Sequence, residues 1–139
     1  MLLLDTHTWI WSVEGDARRI GRRARQRLAR AASEGAVFVS PITLFEVAAL
    51  HAAGRLRLAR SPEQWMRDAL GGAGVRVAEL LPQMAFDAGA ITRAALADPL
   101  DRLLVATARH LDATFLTADS QILAYAATTG SVRVSDASA

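Results

Sequence analysis

Five short runs rich in aliphatic and β-branched residues punctuate this chain, with longer helix-like segments between them. They are Leu2 to Leu4, Ala36 to Val39, Val75 to Leu80, Thr114 to Thr117 and Val132 to Val134. Each is strand length, and strands that alternate with helices require crossover connections. The pattern therefore predicts an α/β domain with a mostly parallel sheet covered on both faces. In such a sheet, ligands lie outside the carboxyl ends of the strands. Asp5 stands directly after the first run, where a buried unpaired charge is costly and packing gives no reason for it. Asp5 is therefore the first candidate site residue.

The helix signals between the strands are specific. Thr6 to Val13 begins a short first helix. Asp16 reads as a cap for Ala17 to Ala32, in which Ile20, Ala24, Leu28 and Ala31 form one apolar stripe. Ser40 and Pro41 pair as N-cap and first turn of a helix to about Ala53. Ser61-Pro62-Glu63-Gln64 opens another, ending near Gly71. Helices are expected over Pro82 to Ala95, from Asp98-Pro99 to Leu111, and from Asp119 or Ser120 to Ala127. Without repeats or linkers, residues 1–135 read as a single domain and 136–139 as a frayed tail.

Composition removes several chemistries. With no cysteine among the 139 residues, disulfides, thiolate nucleophiles and Cys-ligated zinc are excluded. The apolar start lacks a basic leader, and no apolar run is long enough to span a bilayer, so a cytoplasmic protein without membrane contact is expected. All sixteen basic residues are arginine, and seven fall between Arg18 and Arg30. Guanidinium groups bind phosphate bidentately, which makes Arg18, Arg22 and Arg25 candidates for a phosphate-facing surface. A solvated helix face in an arginine-rich proteome explains the same run equally well.

Four further acids fall near the same predicted sheet edge. Glu46 lies in an otherwise apolar helix, two turns after the second strand. Asp98 and Asp101 flank one helix start, and Asp119 follows the fourth strand. Each has an ordinary explanation: Glu46 as a solvent-facing residue, Asp98 and Asp119 as helix caps, Asp101 as an N3 acid suited to the helix dipole. Convergence changes the balance. Carboxylates near 4 Å repel by roughly 4 kcal/mol at an effective dielectric of 20. A divalent cation would cancel that repulsion, and an all-oxygen donor set suits Mg²⁺ or Mn²⁺. Thr6, Ser40 and Thr117 stand where they could orient carboxylates or metal-bound waters.

These residues also form a recognisable series. Leu2-Leu3-Leu4-Asp5-Thr6-His7, Val37-Phe38-Val39-Ser40 leading to Leu44-Phe45-Glu46-Val47, Asp98-Pro99-Leu100-Asp101-Arg102 with Leu103 to Ala108, and Phe115-Leu116-Thr117-Ala118-Asp119 together resemble the PIN domain. The match runs in order over nearly the whole chain, at the length of a free-standing toxin of the VapC type. The resemblance implies a five-stranded parallel sheet of order 3-2-1-4-5 and a metal-dependent endoribonuclease. It implies Asp5, Glu46, Asp101 and Asp119 as the catalytic acids, with Asp5, Asp101 and Asp119 holding Mg²⁺ or Mn²⁺. It also implies a homodimer silenced by a cognate VapB-like antitoxin. Leu96-Ala97 stand where relatives often carry a His and an Arg before the Asp-Pro, so that loop departs from the pattern.

Other readings compete. Asp5-Thr6-His7-Thr8 loosely resembles the aspartyl nucleophile of a HAD-type phosphatase, but that site and a response-regulator receiver both need a lysine, and this chain has none. A PIN nuclease of RNA processing, or a non-catalytic PIN-like scaffold for RNA or protein, remains open. Trp9, Trp11 and Trp65 are candidates for base stacking, though core packing is their commoner use. His7 has no orienting partner visible in sequence, and His51 and His110 suit the ends of their helices.

Overall fold

The computed structural model describes residues 1–139 apart from Ala17 and Ala73. Its elements in chain order are β1 (Leu2–Leu4), α1 (Thr6–Glu14), α2 (Arg22–Ser33), β2 (Val37–Val39), α3 (Pro41–Ala52) and α4 (Pro62–Gly71). Then follow β3 (Val75–Val77), α5 (Pro82–Ala90), α6 (Pro99–Leu111), β4 (Thr114–Thr117), α7 (Ser120–Thr129) and β5 (Val134–Asp136). The five strands form one sheet in the order β3-β2-β1-β4-β5, with every neighbouring pair parallel, as expected.

The central strand shows why three leucines begin the chain. Successive strand residues point to opposite faces. Leu2 and Leu4 join Trp9, Val37, Val39 and Trp65 on one side of the sheet. Leu3 joins Leu104, Val105, Phe115 and Ile122 on the other. All three leucines are under 5% exposed, and burying each contributes about 1.5–3 kcal/mol. Helices thus cover both faces and leave the strand ends open. No helix among the described residues is long and apolar enough to cross a membrane.

Besides β3, which ends at Val77 rather than Leu80, three boundaries differ from expectation. The start expected at Ala17 lies outside the described residues, and α2 begins only at Arg22, after the N-cap Gly21. Asp16 does not cap it: its carboxylate accepts from the Arg18 amide at 3.3 Å and pairs with Arg19, closing a turn. Helix α5 stops at Ala90 because Ile91 is extended and the Thr92 hydroxyl accepts from the Ala95 amide, forming a turn.

The tail is the third. Strand β5 lies two residues later than expected, and residues 136–139 are docked rather than frayed. Ala137 is fully buried, donates its amide to the Thr117 carbonyl at 2.9 Å and accepts from Gly21 N–H at 2.8 Å. The Ala139 carbonyl accepts from Ala24 N–H at 3.1 Å. Helix α2 has no side-chain cap, so this tail satisfies amides that its own sequence leaves open. The approach needs glycine, because a Cβ on Gly21 would come within 2.2 Å of the Ala139 backbone.

Candidate active site

The carboxyl end of β1 continues into α1 through Asp5, which caps that helix: Oδ1 accepts from the Thr6 amide at 2.8 Å. Its other oxygen accepts from the Thr117 hydroxyl, across 112 residues of chain, at 2.6 Å. The same hydroxyl accepts from the Asp119 amide at 3.0 Å. Thr117 is completely buried at the end of β4, so one fixed hydroxyl ties Asp5 to the backbone carrying Asp119. Thr6 does the equivalent on the other side. Its hydroxyl donates to Glu46 Oε1 at 2.7 Å, while its amide holds Asp5.

Asp98 and Asp119 are genuine caps. Asp98 Oδ1 accepts from the Leu100 amide at 2.9 Å, and Asp119 Oδ1 from those of Gln121 and Ile122 at 2.8 and 3.2 Å. Capping does not remove them from the cluster, because both act electrostatically on Asp101. Ser40 is a cap alone: its buried hydroxyl accepts from the Ile42 amide at 3.0 Å and makes no bond to a carboxylate. Among the described residues its hydroxyl makes no hydrogen bond to the acids, in contrast to those of Thr6 and Thr117. Arg18, Arg22 and Arg25 are exposed, and none is among the groups that act on the acids.

The electrostatics follow from this crowding. Burial, and after it the neighbouring charges of Asp98, Asp5, Asp119 and Glu46, together push the Asp101 carboxyl up to about 8. Among the described residues no cation offsets them there. Burial also raises Asp5, against the lowering effect of the Thr117 and Thr6 hydrogen bonds; Asp119 adds to the rise, and nearby His7 opposes it. Glu46 is raised by burial and by Asp5 and Asp98, with the Thr6 hydrogen bond opposing. Five carboxyl groups thus act together at one sheet edge, and their mutual repulsion falls most heavily on Asp101.

Among the described residues, no three side chains of metal-ligating type are gathered closely enough to enclose an ion. Mg²⁺ does not require three. It takes one or two carboxylates and completes its octahedron with water and substrate oxygens. Asp101, with no hydrogen-bonding partner for its carboxyl among the described residues, and Asp5 supply that minimum. The residues present therefore fit a hard divalent cation.

The family model for the PIN domain matches residues 2–128. The chain belongs to the PIN domain family. Solved structures with the same fold include VapBC2 from Rickettsia felis bound to a promoter DNA fragment, at 13% identity and a TM-score of 0.68. That likeness covers 97% of this PIN domain and 97% of that chain. DNA-bound VapBC from Salmonella typhimurium has 23% identity and a TM-score of 0.66, over 97% and 96% of the two chains. FitAcB from Neisseria gonorrhoeae has 23% identity and a TM-score of 0.61, over 96% of each. No curated protein sequence matches this PIN domain significantly.

The long-range hydrogen bonds had no signal in the sequence. Thr6 and Thr117 stood out there as residues able to orient carboxylates, but neither spacing nor residue type marked which acid each would hold. His7 had no visible partner at all, yet it lies in the field of Asp5.

Proposed function

We propose that this chain is a metal-dependent endoribonuclease, the toxin of a toxin–antitoxin pair. The observation that carries the reading is Asp101, a carboxyl pushed up to about 8 inside a five-acid cluster at the open sheet edge. Such a group demands either a proton or a cation, and a nuclease supplies the cation. Asp101 and Asp5 would hold Mg²⁺ or Mn²⁺ directly, with Asp119 through water. When bound, the ion supplies an activated water and stabilises charge developing on the attacked phosphodiester.

The chain's own residues prepare that chemistry. Thr117 fixes one Asp5 oxygen and the backbone at Asp119, so the two carboxylates keep their spacing without further reorganisation. Thr6 holds Glu46 toward the cluster, where its raised affinity for a proton suits it to accept one from the attacking water. Asp98 keeps the α6 terminus, and with it Asp101, in place.

The similarity in fold to VapBC and FitAcB assemblies supports a VapB-like antitoxin as partner. A homodimer in the cytoplasm is the working form proposed with it. RNA is the proposed substrate, with Arg18, Arg22 and Arg25 as candidate phosphate contacts. The test is cleavage of RNA with and without Mn²⁺ by the unsubstituted chain and by Asp5→Asn and Asp101→Asn. Cleavage should require the ion and disappear in both folded variants. Ion-independent cleavage, or full activity in either variant, would overturn the mechanism.

A further inference from the structure

The three tryptophans occupy two different environments. Trp9 and Trp65 are 1% and 4% exposed and meet edge to face with ring centroids 4.9 Å apart. Trp65 also donates its indole N–H to Glu14 Oε1 at 2.9 Å. Both are core residues. Trp11 is only half-buried, one helical turn along α1 from the exposed His7. The two rings lie 6.0 Å apart between centroids, and the Arg19 guanidinium lies 5.5 Å from the Trp11 ring centre. Asp16 steadies that guanidinium at 3.3 Å.

The order of these groups matters. Asp5 caps α1, and His7 follows close enough to act on its charge. An imidazole, an indole and a guanidinium are therefore contiguous, with the imidazole near Asp5. Beside Trp11, a groove of about 260 Å³ opens between α1 and α2, with Ile20, Leu28 and Ala32 in its walls. An apolar groove alone would suit a peptide as well. Two π faces and a cation continuous with a phosphodiester-cleaving site favour a single nucleic-acid strand, whose bases stack while its phosphates pair with arginine.

We propose that His7, Trp11 and Arg19 form a subsite for single-stranded RNA. Trp11 stacks a base adjoining the cleaved position, His7, tilted 48° to the indole, lines the edge of that base, and Arg19 holds a flanking phosphate. The inference rests on the nuclease reading above and adds a determinant of how the substrate lies.

The test uses fluorescence anisotropy with the full Asp101→Asn chain and a short single-stranded RNA, together with copies carrying one abasic position each. One abasic position should weaken binding by about 5- to 100-fold, the range expected for losing a single base stack. Trp11→Leu should bring intact RNA to that same weakened level and abolish the distinction, and Trp11→Phe should restore it. Tryptophan emission should be quenched by RNA in the parent and not in Trp11→Phe. If Trp11→Leu fails to fold, His7→Ala on the exposed surface provides the second variant. Equal binding of all abasic copies by the parent would overturn the subsite. So would a Trp11→Leu chain that binds RNA normally but loses a protein partner, an outcome that assigns the strip to that partner. Absence of Mn²⁺-dependent cleavage by the unsubstituted chain would strike the nuclease reading instead, while the abasic series still decides the strip.

Discussion

Replacing Asp101 with Asn should stabilise the metal-free protein, and the pH dependence of the gain is the informative part. Asp101 titrates at about 8 in the folded chain against an ordinary 3.8. Between those values the native state binds more protons than the unfolded chain, so stability falls as pH rises through the window. The penalty is complete above pH 8 and absent below pH 4. Four powers of ten in proton affinity would amount to roughly 6 kcal/mol at 1.36 kcal/mol per tenfold. Asp101 is only half-buried, and screening by water reduces this to about 1–2 kcal/mol.

An asparagine keeps the shape and carries no charge, so Asp101→Asn should recover that amount. For 139 residues this corresponds to a Tm about 3–7 °C higher at pH 8.5, shrinking toward zero at pH 4. Thermal unfolding followed by circular dichroism in the presence of a chelator measures it. Saturating Mn²⁺ should reverse the order. At a hundredfold excess over Kd, the ion stabilises the parent by about 2.7 kcal/mol. The variant should gain little. If Asp101 served only the dipole of α6, its loss would instead cost about 0.3–1 kcal/mol. A Tm lowered in chelator at pH 8.5, or a difference that does not change with pH, would refute the electrostatic argument.

Other outcomes follow from the same geometry. Thr117→Val preserves volume but releases Asp5 and leaves the Asp119 amide without its acceptor; Mn²⁺-dependent RNA cleavage should fall about 10- to 100-fold, checked by initial rates on a folded variant. Gly21→Ala should destabilise by about 1–3 kcal/mol through its clash with the Ala139 backbone, and much less once residues 138–139 are removed. Denaturant unfolding of that double-variant cycle tests whether the tail is the cause. Replacing Arg18, Arg22 and Arg25 together with Gln should weaken RNA binding and flatten its salt dependence by about 2–3 in log–log slope, measured by anisotropy from low to moderate salt. Unchanged affinity and slope would assign those arginines elsewhere.

The chain's local periodicity was sufficient for its class, an α/β domain with a mostly parallel sheet, while the strand order was what the resemblance to the PIN domain implied. Short strands separated by capped helices leave few topologies, and right-handed crossovers reduce them further. Asp5 was legible for the same reason: a charge at a strand terminus in such a sheet has one open edge to face. Helix caps at Ser40, Ser61 and Asp98 were equally readable, since each acts within three residues of itself. The false start of α2 at Ala17 arose where two local signals competed. Asp16 can cap a helix or close a turn, and the sequence offers no weight between them.

Tertiary structure decided everything that depends on distant residues meeting. Thr117 reaches Asp5 across 112 positions and Thr6 reaches Glu46 across 40, so no spacing rule could pair them. The same holds for Asp101, whose unusual proton affinity comes from burial, from Asp98 at its own helix terminus and from acids on three other segments. It also holds for the tail, which reads as small and polar yet is ordered by the open amides of α2. Trp9, Trp65 and Trp11 are chemically identical in sequence, and only packing places two in the core and one half-buried against His7 and Arg19. Local chemistry therefore determined the frame and its first carboxylate, because caps, turns and strand patterns act over a few residues. The fold alone determined which charges share one small volume, because that energy exists only once the chain has closed.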